Sequence, residues 1–288
     1  MKTPYSPMNN LEIFNSFCGQ SSKMVTEKYS TSFYKAASLF QPEIRQHIYN
    51  IYGFVRLADE IVDTFHDYDK VKLMSDFERN YKESQEYGIS LNPILHSFCL
   101  TQREKNIPQD LVDAFLHSMK MDLGEIKDLN DEKYNEYIYG SAEVVGLMCL
   151  KVFVNGNNAE YERLKPYAQS LGAAFQKINF LRDISADFVD LNRTYFPGVD
   201  FKNFSSADKI EIEKDIAKDF AHAKLGIKIL PISSKLAVFM AYKYYYNLFK
   251  KIRKTKPELL LTKRIRVSNA RKMYLFGEMV LNKNLNLL

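Results

Sequence analysis

Two short segments each place a pair of aspartates four residues apart on a helix that is otherwise apolar. The first is Tyr52-Gly-Phe-Val-Arg56-Leu-Ala-Asp59-Glu-Ile-Val-Asp63. At 3.6 residues per turn, positions four apart share a face. Asp59 and Asp63 therefore stand one turn apart, with Arg56 a turn before Asp59 and Tyr52 a turn before Arg56. Ile51, Val55, Leu57, Ile61 and Val62 make the rest of the helix fit for burial, so the charged stripe needs a partner. The second segment, Gln176-Lys-Ile-Asn179-Phe-Leu-Arg182-Asp183-Ile-Ser-Ala-Asp187, repeats the design. Asp183 and Asp187 are four apart, Asn179 lies a turn earlier, and Gln176 nearly two turns. A lone Asp-x3-Asp is ordinarily a solvated face. Two such pairs, each preceded by an Arg or an amide and each set in an apolar segment, point to helices facing each other across a cavity. Four carboxylates converge there only if cations neutralise them. Hard oxygen ligands in an open site suit Mg²⁺, which takes substrate phosphate as its remaining ligands. Mn²⁺ is the alternative ion.

The rest of the chain narrows the class. With 11 Gly and 9 Pro in 288 residues, a turn-rich, many-stranded fold is disfavoured. The 19 Tyr and 20 Phe can fill a core or line a large apolar cavity, and core is the default. Cys18, Cys99 and Cys149 are scattered, without disulfide framework or metal spacing, which suits a reducing cytoplasm. A net charge of +5 with no accompanying motif gives no reason to expect nucleic acid. Residues 1–20 lack the apolar core of a signal peptide. No apolar run approaches the length of a membrane span.

Helical periodicity accounts for nearly the whole chain. Residues 1–20 are expected to be a loosely ordered end. Tyr29-Ser30-Thr-Ser32-Phe33 opens a helix that ends near Phe40, and Pro42 starts the next as its first residue. Further helices are expected over 70–87, 94–105, 109–123, 133–153, 161–189, 207–230 and from Ser233 or Ser234 to Arg253. Lys263-Arg-Ile-Arg266 precedes a last one. Gly140 and Gly146 weaken the 133–153 helix by roughly 1 kcal/mol each unless close packing or a kink uses them. Tyr137, Ser141 and Val145 share a face of it. Residues 190–206 are irregular and put Arg193 and Tyr195 just after the second stripe, where a loop can fold over the site. The segment 242–251 is aromatic and basic. It reads as core with a basic rim, or as a surface for a membrane. The fold class is all-α, a single helical domain over 1–288.

These residues resemble the squalene/phytoene synthase family, the head-to-head trans-isoprenyl diphosphate synthases, and most closely its bacterial phytoene synthases. The likeness runs from about Tyr29 to Lys272. Ser32-Phe33-x2-Ala36 with Pro42 and Arg45 matches the family's opening. Tyr52-x-Phe-x-Arg56-x2-Asp59-x3-Asp63 matches its first aspartate motif. Gln176-x2-Asn179-x2-Arg182-Asp183-x3-Asp187, then Arg193-x-Tyr195-x-Pro197, matches the second. Tyr137 to Met148 and Ala241-x3-Tyr245-x2-Leu248 match its cavity helices. Three departures stand out. Glu60 sits where a second Asp is usual, Glu143 replaces a common Gly, and Asn192 precedes Arg193 with one extra residue after Asp187.

The resemblance implies an isoprenoid synthase-type helical bundle around a central cavity. It implies Mg²⁺-dependent joining of two geranylgeranyl diphosphates to phytoene through a cyclopropylcarbinyl diphosphate, in carotenoid biosynthesis. The alternative is a squalene or dehydrosqualene synthase acting on farnesyl diphosphate, and the minor one is a non-catalytic assembly factor. Asp59, Asp63, Asp183, Asp187, Arg56 and Tyr52 are then the catalytic residues. Asn179 joins the four aspartates at the metal. Ser32, Phe33, Arg56, Tyr137, Gln176, Asn179, Arg182, Arg193, Tyr195 and Tyr245 bind the substrates. NADPH is not expected. A cytoplasmic protein with peripheral membrane contact is.

Overall fold

The computed structural model describes residues 9–124, 129–185 and 195–284, and among them there is no strand. The helices are α1 (Asn10–Tyr29), α2 (Thr31–Ala37), α3 (Pro42–Asp63), α4 (Lys70–Tyr87), α5 (Pro93–Glu104), α6 (Gln109–Met121), α7 (Asp131–Ile138), α8 (Val144–Phe153), α9 (Asn158–Ile184), α10 (Ser206–Lys228), α11 (Ile232–Arg253), α12 (Pro257–Leu260) and α13 (Asn269–Asn284). The all-α reading holds, and the helix boundaries expected from periodicity fall within a few residues of those found over α3 to α6, α10 and α11.

The N-terminal segment is a correction. From Asn10 onward the chain is helical, not loose. Asn9 and Glu12 close a reciprocal capping box, with Glu12 N donating to Asn9 Oδ1 and Asn9 N to Glu12 Oε2, both at 2.9 Å. The helix then buries Cys18, Gly19, Ser22 and Thr26. Its ties to the bundle are polar: Ser22 Oγ lies 2.7 Å from Ser97 Oγ, and Gln46 Nε2 donates to Gly19 O at 2.8 Å. Small polar residues on the inner face leave no hydrophobic period to read.

The 133–153 helix is also not continuous. Tyr139–Glu143 forms a π-helical turn between α7 and α8. A Cβ on Gly140 would stand 2.6 Å from Ala114 O on α6, and one on Gly172 would stand 2.8 Å from Ala142 O. Backbone meets backbone at both places, so no side chain fits. The wider turn rotates the residues after it, so Tyr137 and Val145 do not keep the common face that a regular helix would give them. At the head of α11 the N-cap is Pro231 rather than a serine, and Ser234 Oγ instead donates to Pro231 O at 3.1 Å. The short α12 has no counterpart in the periodicity.

The buried apolar residues form one cluster. Its hub is Phe54 on α3, stacked on Phe98 at 4.0 Å and ringed by Phe77, Tyr81 and Phe115 at 5.4–5.7 Å. Each such pair adds roughly 0.5–1.5 kcal/mol beyond area burial. The hub fixes the back of α3 and turns its charged stripe the other way. In front of that stripe, five helices close a ring: α8 packs on both α3 and α9, α11 packs on α9 and α2, and α2 packs on α3.

Candidate active site

α3 and α9 carry the two stripes on opposite sides of this ring, and α11 bridges them. Tyr245 of α11 donates to Asn179 Oδ1 of α9 at 3.4 Å and stacks on Phe175 at 3.9 Å. It also lies close enough to Tyr52 of α3 for the two phenols to interact. The sequence therefore placed Tyr52, Asn179 and Tyr245 on three helices that the fold brings together.

On the α3 wall, Phe33 stacks on Tyr52 at 4.7 Å, beside Ser30, which caps α2 by accepting from Phe33 N at 3.2 Å. Ser32 is half-buried beside them on α2. Arg56 reaches both Asp59 and Glu60, with its guanidinium 4.7 Å above the Tyr29 ring. Its Nε is buried with no acceptor among the described residues. A buried guanidinium N–H without an acceptor is costly, and an anionic oxygen would satisfy it. Burial and the neighbouring Asp63 push the Asp59 carboxyl up to about 6, against the pull of Arg56. Desolvation is the larger cause of this rise and the like charge of Asp63 the smaller.

On the α9 wall, Asp183 is held by two arginines. Arg182 Nε donates to its two oxygens at 2.9 and 3.1 Å, and Arg264 Nε donates at 2.7 Å. Tyr244 and Tyr245 border Arg182. Gln176 Oε1 accepts from Asn179 Nδ2 at 3.5 Å. Arg264 was seen in the sequence only as part of a basic run before the last helix. No local spacing links it to α9, 81 residues earlier.

Tyr137 and Tyr195 are placed next door. Both are buried, 5.4 Å apart, and Tyr195 stacks on Phe180 at 4.0 Å. Tyr137 donates its hydroxyl to Asp122 Oδ1 at 2.8 Å. Phe180 follows Asn179 and so points about 100° away around α9. The two tyrosines thus pack on the α7 side of α9, not beside Tyr245. Glu143, the departure on the π turn, accepts from Gln169 Nε2 at 2.9 Å, and burial raises its carboxyl pKa. Asp187 and Arg193 lie outside the described residues.

Among the described residues no three His, Cys, Asp or Glu side chains are clustered as a ready cation site. The donor chemistry of the α3 wall nevertheless fits a hard divalent ion. Asp59 and Asp63 offer carboxylate oxygens one turn apart.

The family model for squalene/phytoene synthase matches residues 26–271, most of the chain and both walls. The chain belongs to that family. Over 218 residues this family member is 27% identical to a 4,4'-diapophytoene synthase of Staphylococcus haemolyticus, covering 74% of the chain and 72% of the relative. It is 28% identical over 200 residues to a bifunctional lycopene cyclase/phytoene synthase of Phycomyces blakesleeanus, covering 60% of the chain and 32% of that longer relative. The crystal structure of a dehydrosqualene synthase in complex with ligand superposes with a TM-score of 0.78 at 20% identity, over 94% of this chain and 98% of that one. The common fold is thus the isoprenoid synthase-type helical bundle. Among the described residues no helix is long and apolar enough to cross a membrane.

Proposed function

We propose that the protein is a prenyltransferase joining two geranylgeranyl diphosphates head to head to give phytoene. The observation that supports a head-to-head reaction of prenyl diphosphates is the pair of walls, Arg56, Asp59 and Asp63 on α3 and Asn179, Arg182 and Asp183 on α9, joined across the ring through Tyr245; the twenty-carbon chain rests on the resemblance to phytoene synthases. Asp59, Asp63, Asn179, Asp183 and Asp187 would hold Mg²⁺, or Mn²⁺, whose charge would make diphosphate a competent leaving group.

Arg56 and Arg182, with Arg193 and Arg264, add charge-assisted hydrogen bonds that hold each diphosphate by its oxygens. The C–O bond of the first substrate breaks, diphosphate leaves with the electron pair, and an allylic cation remains. The double bond of the second substrate attacks it. One C–C bond forms and closure with loss of a proton gives a cyclopropylcarbinyl diphosphate. A second C–O cleavage, rearrangement and proton loss give the hydrocarbon, so no reductant such as NADPH is consumed. The cations survive only where water is excluded. Phe33, Tyr52, Phe175 and Tyr245 supply aromatic faces beside the carboxylates for that purpose.

A second reading is favoured by the Staphylococcus haemolyticus relative, which this chain matches over most of both lengths: the same reaction on two farnesyl diphosphates. One assay separates them. Purified protein is given Mg²⁺ and either diphosphate, with and without NADPH, and the extract is weighed by mass spectrometry. The proposal expects a forty-carbon hydrocarbon from geranylgeranyl diphosphate without NADPH. A thirty-carbon product alone moves the assignment to the farnesyl branch. A folded protein that makes neither overturns both.

A further inference from the structure

We propose that the turn between α10 and α11 docks the protein on an anionic phospholipid surface. The geometry is independent of the reaction. Only the purpose, delivery of an insoluble hydrocarbon, rests on the prenyltransferase reading.

Leu225, Ile229 and Ile232 are 53, 43 and 71% exposed, and they cluster at this turn. Leu225 and Ile229 are one helical turn apart near the end of α10, and Ile232 is the first residue of α11. Lys224 and Lys228 are exposed beside them, and Lys235 follows one turn into α11. From Phe220 to Pro257 the chain contains no Asp or Glu. Apolar side chains that project into water, bordered by lysines and with the nearest acid of their own helix, Asp219, more than a turn before Leu225, fit an interface whose core is hydrocarbon and whose rim is phosphate. Other exposed apolar residues, Ile13, Phe17 and Met24 on α1 and Tyr87, Ile89 and Leu91 between α4 and α5, have acids close by in the chain, Glu12 and Glu27 in the first case and Glu83 and Glu86 in the second.

The place in the fold agrees. Gln41 N donates to Ser233 O at 3.2 Å, which ties the turn to the residue before α3. Phe40 stacks at 5.3 Å on Phe153, the last residue of α8. The turn therefore sits where α3 begins, and Asp59 lies about 25 Å further along that helix. In the segment 242–251, aromatic side chains pack inward while Lys250 and Lys251 stay exposed. Tyr242, Tyr246 and Phe249 surround Phe220 at 5.3–5.6 Å.

Flotation with phosphatidylcholine vesicles, with and without phosphatidylglycerol and without any substrate, tests the proposal. The wild-type protein is expected to float with the anionic vesicles. Replacing Leu225, Ile229 and Ile232 together by Ser, or Lys224, Lys228 and Lys235 together by Gln, lowers partitioning by about tenfold or more. Phe17→Ser on α1 leaves it unchanged. Both triple variants keep the helical circular-dichroism signal and full turnover in detergent. Wild-type protein that stays unbound, folded triple variants that float like wild type, or loss of flotation with Phe17→Ser each overturn the docking surface. An inactive protein that floats overturns only the catalytic reading, and an active one that does not float overturns only the docking.

Discussion

Asp59 shows how a single carboxylate records the purpose of its surroundings. Burial and Asp63 hold it at about 6, above its ordinary 3.8. The folded chain thus keeps this proton to higher pH than the unfolded chain. From this group, stability falls as pH rises between those two values, and the penalty is complete above the upper one. Asp59→Asn removes the penalty. Without ligand, the variant should melt above wild type near neutral pH, with the gap closing toward about pH 4, as thermal scans at the two pH values would show. The same change should cut turnover by at least about a hundredfold, because it removes a carboxylate from the proposed metal site. A variant that melts no higher, or that turns over normally, contradicts this account of Asp59. Arg264 makes a second residue-scale case. Its ion pair with Asp183 places a guanidinium at the α9 wall, so Arg264→Gln should weaken substrate binding about tenfold. The readout is KM against kcat, with circular dichroism unchanged. A change in kcat alone would argue against an anion-binding role.

At the scale of elements, what was legible follows from what each helix buries. α3 shows apolar residues at helical spacing, and of the face expected to be buried Ile51, Ile61 and Val62 are buried while Val55 and Leu57 are only partly so. α1 buries Cys18, Gly19, Ser22 and Thr26, held by hydrogen bonds, and was missed from Asn10 on. The π turn was signalled by Gly140, but only the fold shows that the glycine admits the Ala114 carbonyl. Gly140→Ala should therefore cost about 1–3 kcal/mol, the usual range for overpacking, read as a drop in the urea midpoint. An unchanged midpoint would mean that α6 can shift aside. The facing stripes were legible because i, i+4 spacing is local. Arg264 is not, because its partner Asp183 lies 81 residues away in the chain. The placement of Tyr137 and Tyr195 against Asp122 and Phe180 depends equally on long-range packing.

For the whole molecule, the ring of α2, α3, α8, α9 and α11 sets the proposed active site and the proposed docking turn at opposite ends of α3. Carboxylates and arginines gather at the ends of α3 and α9, and exposed apolar residues with lysines gather at the α10–α11 turn. The central claim is that the two walls act on one ligand. It is tested most directly by calorimetric titration of a non-reactive prenyl thiodiphosphate in Mg²⁺ into four proteins: wild type, Asp59→Asn, Asp183→Asn and the double variant. If both walls grip one diphosphate assembly, either single change should cost nearly as much affinity as the two together. Losses that simply add, or a single change without effect, would mean that the stripes serve separate purposes, and the facing-wall account would fail.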